Sequence, residues 1–131
     1  MPYRILIADD HSMVRRALRS SLERHPDWQV CAEAKNGLEA VQKAAELQPD
    51  IIILDFAMPF MDGLQAARKI LTASPSIPIL MFTNYAFPTL MMEAATVGVR
   101  QVVDKGLAGE ELFSAVQSIL GDKPQTATIP A

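Results

Sequence analysis

The sequence predicts a doubly wound α/β domain, a parallel sheet with helices on both faces. Three observations predict it. Five short apolar runs recur: YRILIAD from Tyr3, WQVCAEA from Trp28, DIIILDF from Asp50, IPILMFT from Ile77 and RQVVDK from Arg100. Their starts are 25, 22, 27 and 23 residues apart, the length of one strand, a loop and one helix. The segments between them carry apolar residues at helical spacing. Pro26, Gly37, Pro49, Gly63, Pro75, Pro78 and Gly98 punctuate the boundaries. Strands alternating with helices in this way lie parallel, because each crossover returns the chain to the same end of the sheet. The repeat is one of architecture only, since no sequence motif recurs.

The first run is continuous and rich in Ile and Leu, as in a strand covered on both faces. A helix follows with Val14, Ala17, Leu18, Ser21 and Leu22 on one stripe. The second run is mixed and reads as an edge strand; its helix carries Leu38, Val41 and Ala45. The third run, IIILDF, is again continuous, and Leu64, Ala67 and Leu71 form the stripe after it. The fourth matches it, and Pro88 suits the first turn of the next helix. The fifth run is mixed, a second edge, followed by Leu112, Val116, Ile119 and Leu120. From Gly121 the chain reads GDKPQTATIPA, polar and without an apolar face. The division is therefore a folded domain over 1–120 and a linker or disordered tail over 121–131.

Composition narrows the function. A chain of 131 residues holds one domain of ordinary size. Half its residues are hydrophobic and 21% are charged, which argues for a packed core over disorder. The single cysteine, Cys31, rules out an internal disulfide and a cysteine-based zinc cage. No apolar run reaches the roughly 18 residues of a membrane span, and MPYRILIADDH turns acidic too early for a signal peptide. The expected location is the cytoplasm, with no membrane partner. A net charge of −3 gives no basis for direct nucleic-acid binding by this domain.

Ligands of open parallel sheets collect at the carboxyl ends of the strands. The first strand ends in Asp9-Asp10, the third in Asp55, the fourth in Thr83 and the fifth in Lys105. Three carboxylates sharing a cleft repel one another, so either a pKa rises or a cation enters. Hard oxygen donors with open positions suit Mg²⁺, which commonly bridges to phosphate. A carboxylate beside Mg²⁺ can act as the nucleophile towards a phosphoryl group. The charge developing on the phosphoryl oxygens then calls for donors, which Lys105 and Thr83 supply. Asp55, on the central strand, is the candidate nucleophile; Asp9 and Asp10 are candidate metal ligands, direct or through water. Taken singly, each has a plainer reading: the aspartates and Thr83 as turn or cap residues, Lys105 as a solvated charge. Their conjunction at one edge is what favours a magnesium–phosphate site.

Other residues carry weaker signals. Arg15, Arg16, Arg19 and Arg24 on the first helix read as a solvated face, with docking to an acidic partner as the alternative. His11 borders the acidic pair, but two histidines make a poor transition-metal site. His25 reads as a helix-end dipole contact, and Cys31 as a small buried hydrophobe. Leu90, Met91 and Met92 leave an apolar excess around the fourth helix.

With RILIADDH, LDFAMPFMDG, MFT and VGVRQVVDK in this order, the chain closely resembles the receiver domains of two-component response regulators over residues 3–120. The opening DDHSMVRRALRSSLE resembles the LuxR/NarL-type subfamily. The resemblance implies a flavodoxin-like sheet in order 2-1-3-4-5 with five helices. It implies that Asp55 accepts a phosphoryl group from a sensor histidine kinase, making the domain a switch rather than an enzyme. Self-phosphorylation from small donors and slow self-dephosphorylation are its expected reactions. Mg²⁺, with Mn²⁺ as the alternative cation, would be bound by Asp10, Asp55 and the Ala57 carbonyl, with Asp9 acting through water. Thr83 and Lys105 would hold the phosphoryl oxygens, and Pro59 and Gly63 would shape the loop after Asp55. The expected output is homodimerisation or effector binding, with transcription regulated through a C-terminal DNA-binding domain outside this chain.

Three positions depart from the family pattern. Val102 replaces the usual inward-turning aromatic, a role Tyr85 or Phe87 could partly assume. Asn84 stands where a small residue is usual, and Gly106 where many members have proline. Two other functions compete. A haloacid-dehalogenase-like phosphohydrolase would need a second acid at the position of Ala57. A pseudo-receiver would bind partners without phosphorylation, which Val102 favours and the intact acidic set opposes.

Overall fold

The computed structural model of the chain describes residues 2–106 and 109–121. Five strands, β1 (Tyr3–Ala8), β2 (Trp28–Ala34), β3 (Ile51–Leu54), β4 (Ile79–Thr83) and β5 (Gln101–Asp104), form one sheet. All pairings are parallel, in the order β2-β1-β3-β4-β5. The helices are α1 (Ser12–Leu22), α2 (Gly37–Leu47), α3 (Gly63–Ala73), α4 (Pro88–Val97) and α5 (Gly109–Gly121). The mixed runs are the two edges and the continuous ones the three inner strands, as the sequence predicts. Helix α5 takes in Gly121, one residue into the segment read as a tail; residues 122–131 lie outside the described residues.

Two cores follow from the alternation of strand side chains. Leu6, Ala8, Ile52, Leu54, Ile79 and Met81 face α2, α3 and α4. Ile5, Ile7, Ile51, Ile53, Leu80 and Val103 face α1 and α5. The inner-strand residues among these are essentially inaccessible, and burying each Ile or Leu side chain stabilises the fold by about 1.5–3 kcal/mol. Helix starts are fixed locally. Asn36 accepts the Glu39 amide at 2.8 Å, Asp62 and Gln65 form a capping box, and Pro88 opens α4.

Two helix faces differ from the sequence reading. In α2 the buried residues are Gly37, Ala40 and Ala44, while Leu38 is 52% exposed and Ala45 is exposed. A Cβ on Gly37 would collide with the Met61 backbone, and that close approach turns the small side chains of α2 inward. In α1, Leu18 and Leu22 are buried, whereas Ala17 and Ser21 are exposed. With Val14, Phe82 and Leu112, Ala17 and Ser21 line a groove of about 320 Å³ beside Lys105. At the end of α1 the His25 amide donates to Leu22 O at 3.1 Å, while its ring stacks on Trp28 at 4.2 Å and its Nδ1 accepts the Asp27 amide at 3.1 Å. Cys31 lies on β2, part-buried, and burial pushes its thiol up.

Candidate functional site at the carboxyl edge of the sheet

Backbone pairing carries the acidic residues past the strand ends into register. The Asp9 amide donates to Ala34 O at 3.0 Å, the Asp55 amide to Ala8 O at 2.9 Å, and the Lys105 amide to Thr83 O at 2.9 Å. Ala8 sits opposite Leu54, so Asp9 and Asp55 emerge side by side. Thr83 pairs with Asp104, which delivers Lys105 to the same edge.

Four of the five strand-end groups therefore converge. Asp9 and Asp55 are 1% and 4% exposed and Thr83 is 0% exposed, three polar residues taken out of water together. Lys105 Nζ lies 2.6 Å from Asp9 Oδ2 and 3.2 Å from Asp55 Oδ2. The other Asp55 oxygen accepts the Phe56 amide at 2.8 Å. The Thr83 hydroxyl, buried beside Asp55, favours the charged carboxylate and accepts the Tyr85 amide at 3.2 Å. Burial raises the Asp55 pKa above the usual carboxylate range; the Lys105 charge opposes that rise and the Asp9 charge adds to it. Burial works against the Lys105 ammonium, but the Asp9 hydrogen bond and the charges of Asp55 and Asp9 outweigh it, and its pKa goes up.

Asp10 stands apart. Its side chain, 32% exposed, reaches His11 Nδ1 at 3.1 Å, while His11 also donates its amide to Asp9 Oδ1 at 2.9 Å. Asp9, Asp10 and His11 present ligand atoms within 4.8 Å of one another. The donor set fits a hard divalent cation: carboxylate oxygens predominate, one of them at the open rim. In this structure the Lys105 ammonium already neutralises part of the charge such an ion would meet.

The remaining candidates form the surroundings. Asn84 is exposed beside Thr83, and Pro59 is exposed in the loop after β3. Ala57 lies part-buried in that loop. The Gly63 amide donates to Phe56 O at 2.7 Å, and a Cβ there would run into the Asp55 carbonyl. Val102 is half-buried and packs on the core beneath α3 and α4. Phe60, which the sequence reading passed over, has φ of +69° and is 82% exposed. The arginines of α1 also divide. Arg16 and Arg24 are solvated, but Arg15 and Arg19 both bond Glu33, and Arg15 donates to Asp9 O at 2.8 Å. The signal for that link was available: two arginines one helical turn apart, with a glutamate on the neighbouring strand.

Residues 5–117 match the family model described as response regulator receiver domain. The chain belongs to the response-regulator receiver family. The receiver is 34% identical over 116 residues to transcriptional regulatory protein LnrK of Bacillus subtilis (strain 168), covering 88% of this chain and 53% of that protein. It is also 34% identical over 117 residues to response regulator protein VraR of Staphylococcus saprophyticus, covering 89% and 56%. Its fold matches the crystal structure of a LuxR-family two-component response regulator from Aurantimonas sp. SI85-9A1. The TM-score is 0.89 at 33% identity, with 92% and 86% of the two chains covered. The receiver thus spans about half the length of these two curated relatives. Among the described residues, no helix is long and apolar enough to cross a membrane.

Proposed function

We propose that Asp55 is the phospho-acceptor of a two-component switch. One observation carries the reading: Asp55, Asp9 and Lys105 come from the ends of three strands and meet within hydrogen-bonding distance, with Thr83 from a fourth buried beside Asp55. One carboxylate oxygen of Asp55 attacks the phosphorus of a sensor kinase's phosphohistidine. The new P–O bond forms as the P–N bond breaks, and the electron pair returns to the departing imidazole. Thr83 and Lys105 are placed to hold the transferred oxygens, with Asn84 at the rim.

Asp10, Asp55 and the Ala57 carbonyl, with Asp9 through water, would hold a Mg²⁺ or Mn²⁺ ion, which would supply positive charge to the phosphoryl oxygens. Lys105, bonded to both buried carboxylates, already supplies part of the positive charge they need. The groove between α1 and α5 opens beside Lys105 and suits an apolar helix of the phosphodonor.

The phosphoryl group adds charge and three strong acceptors beneath the loop after β4. Its expected consequence is self-association, with transcription controlled by a DNA-binding domain of the longer protein, in a cytoplasmic setting alongside the kinase. Val102 removes the usual aromatic at its position, so Tyr85, tied to Thr83 through its amide, is the route we assign to the readout.

Incubation with Mg²⁺ and acetyl phosphate, read by intact mass and size-exclusion chromatography, tests the proposal. A single phosphoryl adduct that requires Mg²⁺, vanishes in Asp55→Ala and shifts the elution supports it. Partner binding that persists in Asp55→Ala, with no adduct in the wild type, favours a phosphorylation-independent interaction module.

A further inference from the structure

We infer that Arg15 is a positioning residue for the acidic pair, setting the peptide between Asp9 and Asp10 and through it the affinity of the site for a divalent cation. The claim rests on the proposed phospho-acceptor chemistry and concerns a residue outside the converging set. Asp9 has both backbone polar groups pinned. Its amide donates to Ala34 O at 3.0 Å, and its carbonyl accepts Arg15 Nη1 at 2.8 Å. The carbonyl and the Asp10 amide share one rigid peptide plane, so holding the oxygen fixes where Asp10 starts.

Arg15 is itself held. Its Nε bonds Glu33 Oε1 at 3.0 Å, and Glu33 Oε2 accepts Arg19 Nε at 2.9 Å. Burial alone would raise the Glu33 pKa, but its bonds to Arg19 and Arg15 outweigh that and lower it, so the carboxylate anchoring the fork stays charged. The Arg15 side chain is 16% exposed against 40% for Arg19, as expected of a group serving an interior contact. The planar fork of arginine spans both acceptors, which a lysine ammonium cannot do. Asp10 needs this help because it sits at the open rim, where its partner is the exposed His11.

The sign of the effect separates positioning from simple electrostatics. Deleting a cation near a cation site strengthens divalent binding by Coulomb's law alone. Loss of a positioning contact does the reverse, typically by about 10–100-fold for groups that orient metal ligands.

The test uses the full chain titrated with Mg²⁺ by calorimetry, together with the Asp10 amide resonance in the ion-free protein. Arg15→Ala is expected to weaken Mg²⁺ binding about 10-fold or more and to shift or broaden the Asp10 amide signal. Arg15→Lys keeps the charge without the fork and is expected to remain weak. Arg19→Ala cuts the same α1–β2 tether without touching Asp9, and is expected to stay within about twofold of wild type. Equal weakening by Arg15→Ala and Arg19→Ala reduces Arg15 to a structural tether and overturns the inference. So does unchanged or tighter binding in Arg15→Ala, or full recovery in Arg15→Lys. Absence of Mg²⁺ binding by the wild type contradicts the phospho-acceptor reading instead, and an Asp10 signal unmoved in Arg15→Ala then overturns the hold on the peptide independently.

Discussion

Lys105 makes its shorter contact with Asp9 and not with the proposed nucleophile: 2.6 Å to Asp9 Oδ2 against 3.2 Å to Asp55 Oδ2. The ammonium therefore grips Asp9 and leaves Asp55 the looser of the two partners. Removing it leaves two buried carboxylates uncompensated. Lys105→Met is expected to destabilise the fold at neutral pH by about 3 kcal/mol and to slow labelling by acetyl phosphate, measured by urea unfolding and by the rate of adduct formation. Unchanged stability would show that the carboxylates are relieved by another group.

Asp55 carries an unfavourable charge in the folded state. Its folded pKa lies above the ordinary 3.8, chiefly through burial. A raised acid contributes most below its unfolded pKa, and that contribution is lost as pH rises through the folded value. Asp55→Asn is therefore expected to stabilise the protein at neutral pH, a gain that shrinks as pH falls towards 3.8. Lys105 has the complementary dependence. Its raised pKa gives stability present below 10.5 and lost as pH climbs through the folded value. Unfolding midpoints for wild type and Asp55→Asn across pH measure both.

The loop between β3 and α3 holds two positions with opposite demands. Gly63→Ala forces a Cβ against the Asp55 carbonyl and Phe56 Cα, and is expected to cost about 2–3 kcal/mol. Phe60 occupies the left-handed region with its ring in solvent, so Phe60→Gly is expected to stabilise by about 0.5–1 kcal/mol. Chemical denaturation of the pair checks both signs.

The Tyr85 amide donates to the Thr83 hydroxyl, which is buried beside Asp55. A phosphoryl oxygen that accepts the Thr83 hydroxyl proton would draw that side chain towards it, and the acceptor of the Tyr85 amide would move with it. The edge contacts of Tyr85 with Phe56 and Phe87, at 6.2 and 6.3 Å between ring centroids, would shift as well. Amide spectra with and without beryllofluoride should show a large change at Tyr85 that Thr83→Ala abolishes. A change confined to Asp55 and Phe56 would remove Tyr85 from the readout.

Fold and site were legible to different depths. Inner and edge strands could be told apart because continuous Ile/Leu runs differ from mixed ones, and the strand-end residues could be placed because a parallel sheet delivers them to one edge. Apolar spacing misread α2 because Gly37 and its alanines pack by closeness of backbone, which hydrophobicity does not register. It missed the Arg15–Glu33–Arg19 link because charged residues on an amphipathic helix look solvated until the neighbouring strand supplies a partner. The strand ends placed Asp9 and Asp10 together, yet only the folded chain separates a buried Asp9 bonded to Lys105 from an Asp10 at the rim.

The most direct test is to locate the phosphoryl group itself. Protein treated with acetyl phosphate and Mg²⁺ would be reduced with borohydride, which converts an aspartyl phosphate to homoserine, and its peptides mapped by mass. Homoserine at position 55 alone is the predicted result. Modification at Asp9 or Asp10, or none at any aspartate, would contradict the assignment of Asp55 as the acceptor.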